Sequence, residues 1–176
     1  NGWGTVAVPD NLYIQSGTQQ LLIAQETGND MTSYIAQALP GVTPHTYQLV
    51  KAYKGEFQYA YMMHYSLLSS DVKTLIGTDS VTPTAMNEAL TGRLPRNFYV
   101  AENMHGVKVN GNTYYIGTVN GDLFANNGRF TEAVRIIVAP RSSGADVILI
   151  FGQNEDSGDL LSTVTDILVR TKNTKK

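Results

Sequence analysis

The chain of 176 residues contains no cysteine, which excludes disulfides, thiolate zinc sites, iron–sulfur clusters and cysteine nucleophiles. It also lacks long hydrophobic runs. The longest, 134–140 and 147–151, fall far short of the roughly 18 apolar residues that a membrane-spanning helix needs. Charged side chains make up only 16% of the sequence, below the usual share of about 25%. Uncharged polar residues take their place, and such a composition favours strands and turns over long helices.

Basic side chains are scarce in most of the chain and concentrated at its end. The first 50 residues hold no lysine or arginine, whereas the C-terminus holds Arg170, Lys172, Lys175 and Lys176 and no acid. The preceding 169 residues carry 15 acidic and 9 basic side chains, a net charge of −6. Because nucleic-acid binding needs a basic folded surface, we predict no nucleic-acid partner. We interpret the basic end as a solvated helix terminus, with contact to an anionic surface as the alternative.

The length predicts one domain, since a chain of this size can bury roughly 70% of its unfolded surface in a single core. We assign residues 1–170 to a single α+β domain and residues 171–176 to a basic C-terminal tail. The sequence begins with Asn1 rather than Met. Together with the low charge content, this start favours an extracytoplasmic protein of the periplasm, cell envelope or exterior whose signal peptide or lipoprotein leader has been removed. A trimmed sequence is the alternative.

Turn residues and hydrophobic periodicity predict the secondary structure. In the first half they indicate strands at 3–8, 12–15, 20–25 and 57–68, and helices at 33–39, 45–54 and 83–91. The helix at 45–54 is favoured by Thr43 and Pro44 at its start and Gly55 beyond its end. The strand at 57–68 would reach about 40 Å, twice a usual strand, so we expect a bend or bulge within it.

The second half predicts an antiparallel meander. Asn-Gly pairs at 110–111, 120–121 and 127–128 are typical of tight hairpin turns. The strands of this meander would be 106–109, 113–119, 129–139 and 145–151, with the last turn at 140–144. Residues 147–151 are apolar throughout, which predicts a central strand covered by a final amphipathic helix at 158–170. Asp156 or Ser157 would cap that helix, with calcium binding by the acidic segment 153–159 as the alternative.

The ends of the chain carry a resemblance in layout. An N-terminal strand pair broken at a proline (WGTVAVPDNLYI) precedes the helices, and a buried strand leads into a closing helix (ADVILIFGQNEDSGDLLSTVTDILVRT). This order resembles the PsbP, Mog1 and DcrB type of α/β/α sandwich. The likeness covers most of the chain without a diagnostic motif and implies a small accessory or lipoprotein-type domain, since proteins of that type are mostly non-catalytic helpers. It implies no functional residue.

Few residues point to catalysis. The sequence holds no phosphate-binding loop, no serine elbow and no zinc-binding helix motif. Glu102 and His105 stand three residues apart and would suit proton transfer or metal binding on a helix, but their surroundings favour a solvated loop. His64 is interpreted as a hydrogen-bonded or partly exposed histidine. The alternative function is a small hydrolase. Its histidine and acid, such as His105 and Glu102, would meet in the folded structure.

The leading hypothesis is a non-enzymatic binding domain. One face of the predicted strand 57–68 carries Tyr59, Tyr61 and Tyr65, and Tyr114 extends it from the meander, with Tyr115 as the alternative. Tyrosines on an exposed face can stack sugars or bind peptides, while on a buried face they belong to the core. We predict these four tyrosines as the binding residues, for a protein or small-molecule partner that the sequence does not identify. We predict no cofactor, and the sequence leaves the oligomeric state open.

Overall fold

A computed structural model describes residues 12–16, 31–53, 56–94, 96–125 and 128–171. These residues form an antiparallel sheet of seven strands in the order β1-β2-β3-β7-β6-β5-β4. The strands are β1 (Leu12–Ser16), β2 (His45–Tyr53), β3 (Glu56–Leu68), β4 (Phe98–Val109), β5 (Asn112–Ala125), β6 (Gly128–Arg141) and β7 (Gly144–Gln153). The helices are α1 (Met31–Ala38), α2 (Ser69–Ile76), α3 (Pro83–Arg93) and α4 (Asn154–Thr171). The predicted α+β class is confirmed.

The sheet is buried on both faces, because helices cover each of them. On one face, apolar side chains of the strands pack against α1, α2 and α3, represented by Ile35, Val72 and Met86. On the other face, they pack against α4, represented by Leu161 and Leu168. We call these two sides the three-helix face and the α4 face.

The central position of the apolar strand is confirmed. β7 is the fourth of the seven strands, paired with β3 on one side and β6 on the other. Its even-numbered residues Ile148 and Ile150 belong to the α4 face, and Leu149 belongs to the three-helix face. The predicted final helix does cover this strand. It begins at Asn154, so the predicted cap at Asp156 or Ser157 is wrong, because both residues lie inside the first turn.

The long strand is confirmed, but the bulge expected within it is wrong. β3 pairs with β2 over residues 56–64 and with β7 over residues 61–68, and neither register contains a shift. Its 13 residues are needed because its two neighbours are offset along its length. The strand therefore bridges the β1-β2 edge and the centre of the sheet.

The helix predicted at 45–54 is wrong. Those residues form β2, which is hydrogen-bonded to β1 on one side and to β3 on the other. Leu49, at the middle of the strand, is fully buried opposite Ala60 of β3. Thr43 and Pro44 precede a strand as readily as a helix, and pairing on both sides outweighs the weak local preference for a helix.

The meander matches its prediction at the first Asn-Gly pair and differs at the second. Asn110 and Gly111, with φ of 51° and 80°, form the predicted turn between β4 and β5. The second Asn-Gly pair lies inside β5 instead, because Gly121 leaves room for the ring of Phe98 on β4. Asn127, of the third pair, is outside the described residues, as are the strands predicted at 3–8 and 20–25.

Residues 102–105 form a strand rather than the predicted loop. They lie within β4, and the β4-β5 register shifts between Val100 and Glu102 and again between Glu102 and His105. Such irregularities are common at sheet edges, and β4 is the last strand of this sheet. A bulged strand leaves the same weak alternation in the sequence as a loop, which explains the error.

Candidate functional site

An apolar cavity of about 100 Å³ lies between the three-helix face of the sheet and the helices that cover it. Its floor consists of sheet residues, namely Met104, Ile136, Val138, Val147 and Leu149. Its walls come from the helices and the residue after α3, namely Ile35, Leu75, Ile76, Met86, Ala89, Leu90 and Leu94. An apolar cavity of this order can hold a group of several carbon atoms, since an engineered cavity of about 150 Å³ binds benzene.

Local hydrogen bonds position α3 over this cavity. The Thr82 hydroxyl caps the helix by accepting the Ala85 backbone N–H at 3.2 Å, and Pro83 occupies the first turn. Asn87 then holds the helix to the bulged part of β4. Its Oδ1 accepts the Met104 N–H at 2.7 Å, and its Nδ2 donates to the Met104 carbonyl at 3.1 Å. These two bonds satisfy the backbone N–H and carbonyl of Met104 on the edge strand and hold this residue in the cavity floor.

The second wall, α2, was not predicted from the sequence. The helix begins directly after β3, where Leu68 offers no capping side chain, and the Asp71 carboxylate accepts the Leu68 N–H at 2.8 Å instead. It ends at Gly77, whose φ of 79° suits glycine. An acid at the third helical position followed by a glycine six residues later was the available signal.

Arg93 is the one charged side chain among the residues that line the cavity. It lies at the end of α3 and is exposed at the mouth. Its Nη1 donates to the carbonyls of Thr74 and Leu75, at 3.0 and 2.8 Å, which holds the guanidinium group at the C-terminal end of α2. Within the described residues, no carboxylate lies within ion-pair distance of Arg93.

The four tyrosines predicted as binding residues do not share one surface. Tyr65 is buried on the three-helix face, where its hydroxyl lies 3.8 Å from the Met63 sulfur. Tyr114 is fully buried on the α4 face. Tyr61 is half-buried against the three-helix core, and Tyr59 lies in β3 with its side chain outside the described part of the structure. Tyr65 and Tyr114 are therefore on opposite sides of the sheet and cannot contact one ligand together.

Burial gives Tyr114 a testable pH dependence. Desolvation raises the pKa of its hydroxyl above the usual 10.0, because the charged phenolate is disfavoured in the core. Above about pH 10 the unfolded state loses this proton more readily than the folded state, which favours unfolding. The contribution of Tyr114 to the free energy of unfolding is therefore fully present below about pH 10 and is lost as the pH rises through the raised pKa. We expect unfolding free energies measured from pH 8 to 11 to fall less for Tyr114→Phe than for the unmodified protein.

The matched control for that experiment is Tyr99→Phe, at a tyrosine that is 48% exposed. Its pH profile should follow that of the unmodified protein. Equal alkaline losses for Tyr114→Phe and the unmodified protein would contradict the role assigned to Tyr114.

Glu102 and His105 lie on the α4 side of β4, away from the cavity. The Glu102 carboxylate accepts hydrogen bonds from Arg135 at 2.5 Å and from the Thr118 hydroxyl at 2.9 Å. His105 Nδ1 is 3.7 Å from Glu102 and 3.1 Å from the Asn103 carbonyl. The structure brings the predicted histidine and acid near each other, but the carboxylate is held by Arg135 and Thr118. The hydrolase hypothesis stays a prediction.

A buried histidine–aspartate pair also lies on the α4 face. His64 Nε2 is 3.0 Å from Asp146 Oδ1, and Arg141 Nε is 3.6 Å from the other carboxylate oxygen. Asp146 is 1% exposed, so these two neighbours offset the cost of burying its charge. The hydrogen-bonded His64 matches its interpretation from the sequence. Asp146 was missed, although an acid inside an apolar strand was a visible signal.

Comparisons with known proteins give distant likeness in structure alone. No family model matches the chain, and no curated protein matches it. Among solved structures, the chain is similar to LpqN, which is involved in cell envelope biogenesis of Mycobacterium tuberculosis, with 12% sequence identity and a TM-score of 0.43. The likeness covers 93% of this chain and 78% of LpqN. At this score it carries no argument about ligand or activity.

Within the described residues, neither a metal-binding cluster nor a helix suited to span a membrane is found. No group of three or more His, Asp or Glu side chains is arranged to hold a metal ion there. Likewise, no helix in that part of the chain is long and apolar enough to cross a membrane. The apolar cavity with Arg93 among its lining residues is the candidate site.

Proposed function

We propose that the protein is a non-enzymatic, extracytoplasmic binding domain whose cavity takes a small apolar ligand or the apolar end of a larger one. The observation that supports it is the lining: twelve apolar side chains and one arginine surround the space between helices and sheet. An apolar cavity offers no group that could attack or protonate a substrate, but it gains free energy by removing carbon from water. The low charge content supports the location.

The methionines of the chain offer a direct test. Met86 and Met104 line the cavity, whereas Met62 belongs to the core of the opposite face. We expect titration with 1-hexanol to shift the methyl NMR signals of Met86 and Met104 and to leave that of Met62 in place. An equal shift of all three signals, or of none, would contradict binding in the cavity.

A filled cavity provides the matched variant. Ala89 faces the cavity from α3, so Ala89→Leu should place its added carbons in that space and weaken hexanol binding by about tenfold or more. Glu88→Leu adds leucine at the neighbouring exposed position and should bind hexanol like the unmodified protein. Equal affinity of the two variants would show that hexanol binds elsewhere.

A further inference from the structure

We propose that the ligand of this cavity is an aliphatic carboxylic acid whose chain enters the cavity and whose carboxylate is bound by Arg93. This inference rests on the proposed function, because it assigns the head group to a ligand whose apolar part the cavity holds. Its basis is the position of a single cation at the mouth of an otherwise apolar space.

The guanidinium group is held in place before any ligand binds. Nη1 donates to the Thr74 and Leu75 carbonyls, so the side chain is anchored to the end of α2. Two bonds from one nitrogen leave the edge formed by Nε and Nη2 as a planar pair of donors. Such a pair matches the two oxygens of a carboxylate, and an anchored arginine loses little side-chain entropy when it binds one.

The surrounding charges favour an anion over a cation. Among the described residues, Arg93 has no acidic partner, whereas Lys73 of α2 pairs with Asp79 at 3.3 Å. A ligand amine would meet a positive charge that only backbone carbonyls compensate, while a carboxylate would pair with it. Arg93 is exposed, so water weakens such a pair and its contribution to affinity is modest.

The size of the cavity limits the chain. A space of about 100 Å³ accommodates a few carbon atoms, so a longer chain would have to extend out of the mouth beside Arg93. We therefore choose hexanoate as the probe, with 1-hexanol and hexylamine as ligands of the same chain length and different charge.

The test compares these three probes by methyl NMR titration on two Arg93 variants and one control variant at Arg96. Arg93→Gln should raise the Kd of hexanoate about threefold to tenfold and change that of hexanol less than twofold. Arg93→Lys keeps the charge without the paired donors and should give an intermediate loss. Arg96→Gln, at an exposed arginine that does not line the cavity, should leave both affinities unchanged. Hexylamine should bind more weakly than hexanol and gain affinity in Arg93→Gln.

The alternative role of Arg93 is to cap α2 and nothing more. In that case Arg93→Gln lowers the melting temperature but affects hexanoate and hexanol equally, which would overturn the inference and leave the binding cavity intact. Failure of all three probes to shift Met86 and Met104 in the unmodified protein would overturn both proposals. The Met62 signal reports that each variant is folded at the temperature of the titration.

Discussion

Gly144→Ala is expected to destabilise the protein by about 3 kcal/mol or more. Gly144 has a φ of 142°, a backbone conformation that side chains with a Cβ rarely adopt. A Cβ built there would lie 1.9 Å from the Leu67 carbonyl oxygen. Neither partner can move freely, because Gly144 opens the central strand β7 and pairs there with Leu68 of β3.

The control for this variant is Gly111→Ala. Gly111 also has a positive φ, 80°, but a Cβ there would have no other atom within 4 Å. Only the backbone strain should therefore lower the free energy of unfolding, by about 1 kcal/mol. Urea unfolding of both variants measures the difference. Similar losses for the two would mean that the contact with Leu67 relaxes at little cost.

Ile150→Ala is expected to cost about 3–4 kcal/mol of unfolding free energy, within the range for large-to-small changes in a core. Ile150 is fully buried in β7 and belongs to the apolar cluster that α4 covers. Its strand has a neighbour on each side, so the sheet cannot close the space by moving an edge. Truncation therefore removes apolar contacts and leaves a void.

Two further variants calibrate that effect by denaturant unfolding. Ile150→Val removes one methylene and should cost about 0.5–1.5 kcal/mol. Leu68→Ala is made at a side chain that is 62% exposed, so it should change stability by less than about 0.5 kcal/mol. A loss at Leu68 that matches the loss at Ile150 would contradict the assignment of the core.

Some parts of the fold were predictable because their signals are local. The strand β3 alternates along its whole length, the turn at Asn110 and Gly111 needs positive φ angles that this pair adopts easily, and α3 has both its cap and its proline. The apolar run in β7 and the amphipathic α4 similarly indicated their mutual packing. Each of these features depends on residues close together in the chain.

Other parts depended on contacts between distant residues. A helix and a strand both suit residues 45–53, and pairing with β1 and β3 selects the strand. Gly121 looks like a turn residue, yet the ring of Phe98 on the neighbouring strand explains it. The alternation of aromatic residues in β3 predicted a tyrosine-rich binding face. It could not show that helices cover both sides of the sheet.

The candidate site shows the same division. The sequence by itself determined the α+β class, the absence of thiol chemistry and the central apolar strand, because composition and periodicity carry that information. Only the tertiary structure brought Met104, Leu149 and Arg93 around one cavity. These residues come from an edge strand, a central strand and a helix end, and no local pattern records which side chains meet across such distances. The alternating spacing of the tyrosines is visible in the sequence. The lining of a cavity is not, because it depends on how distant elements pack together.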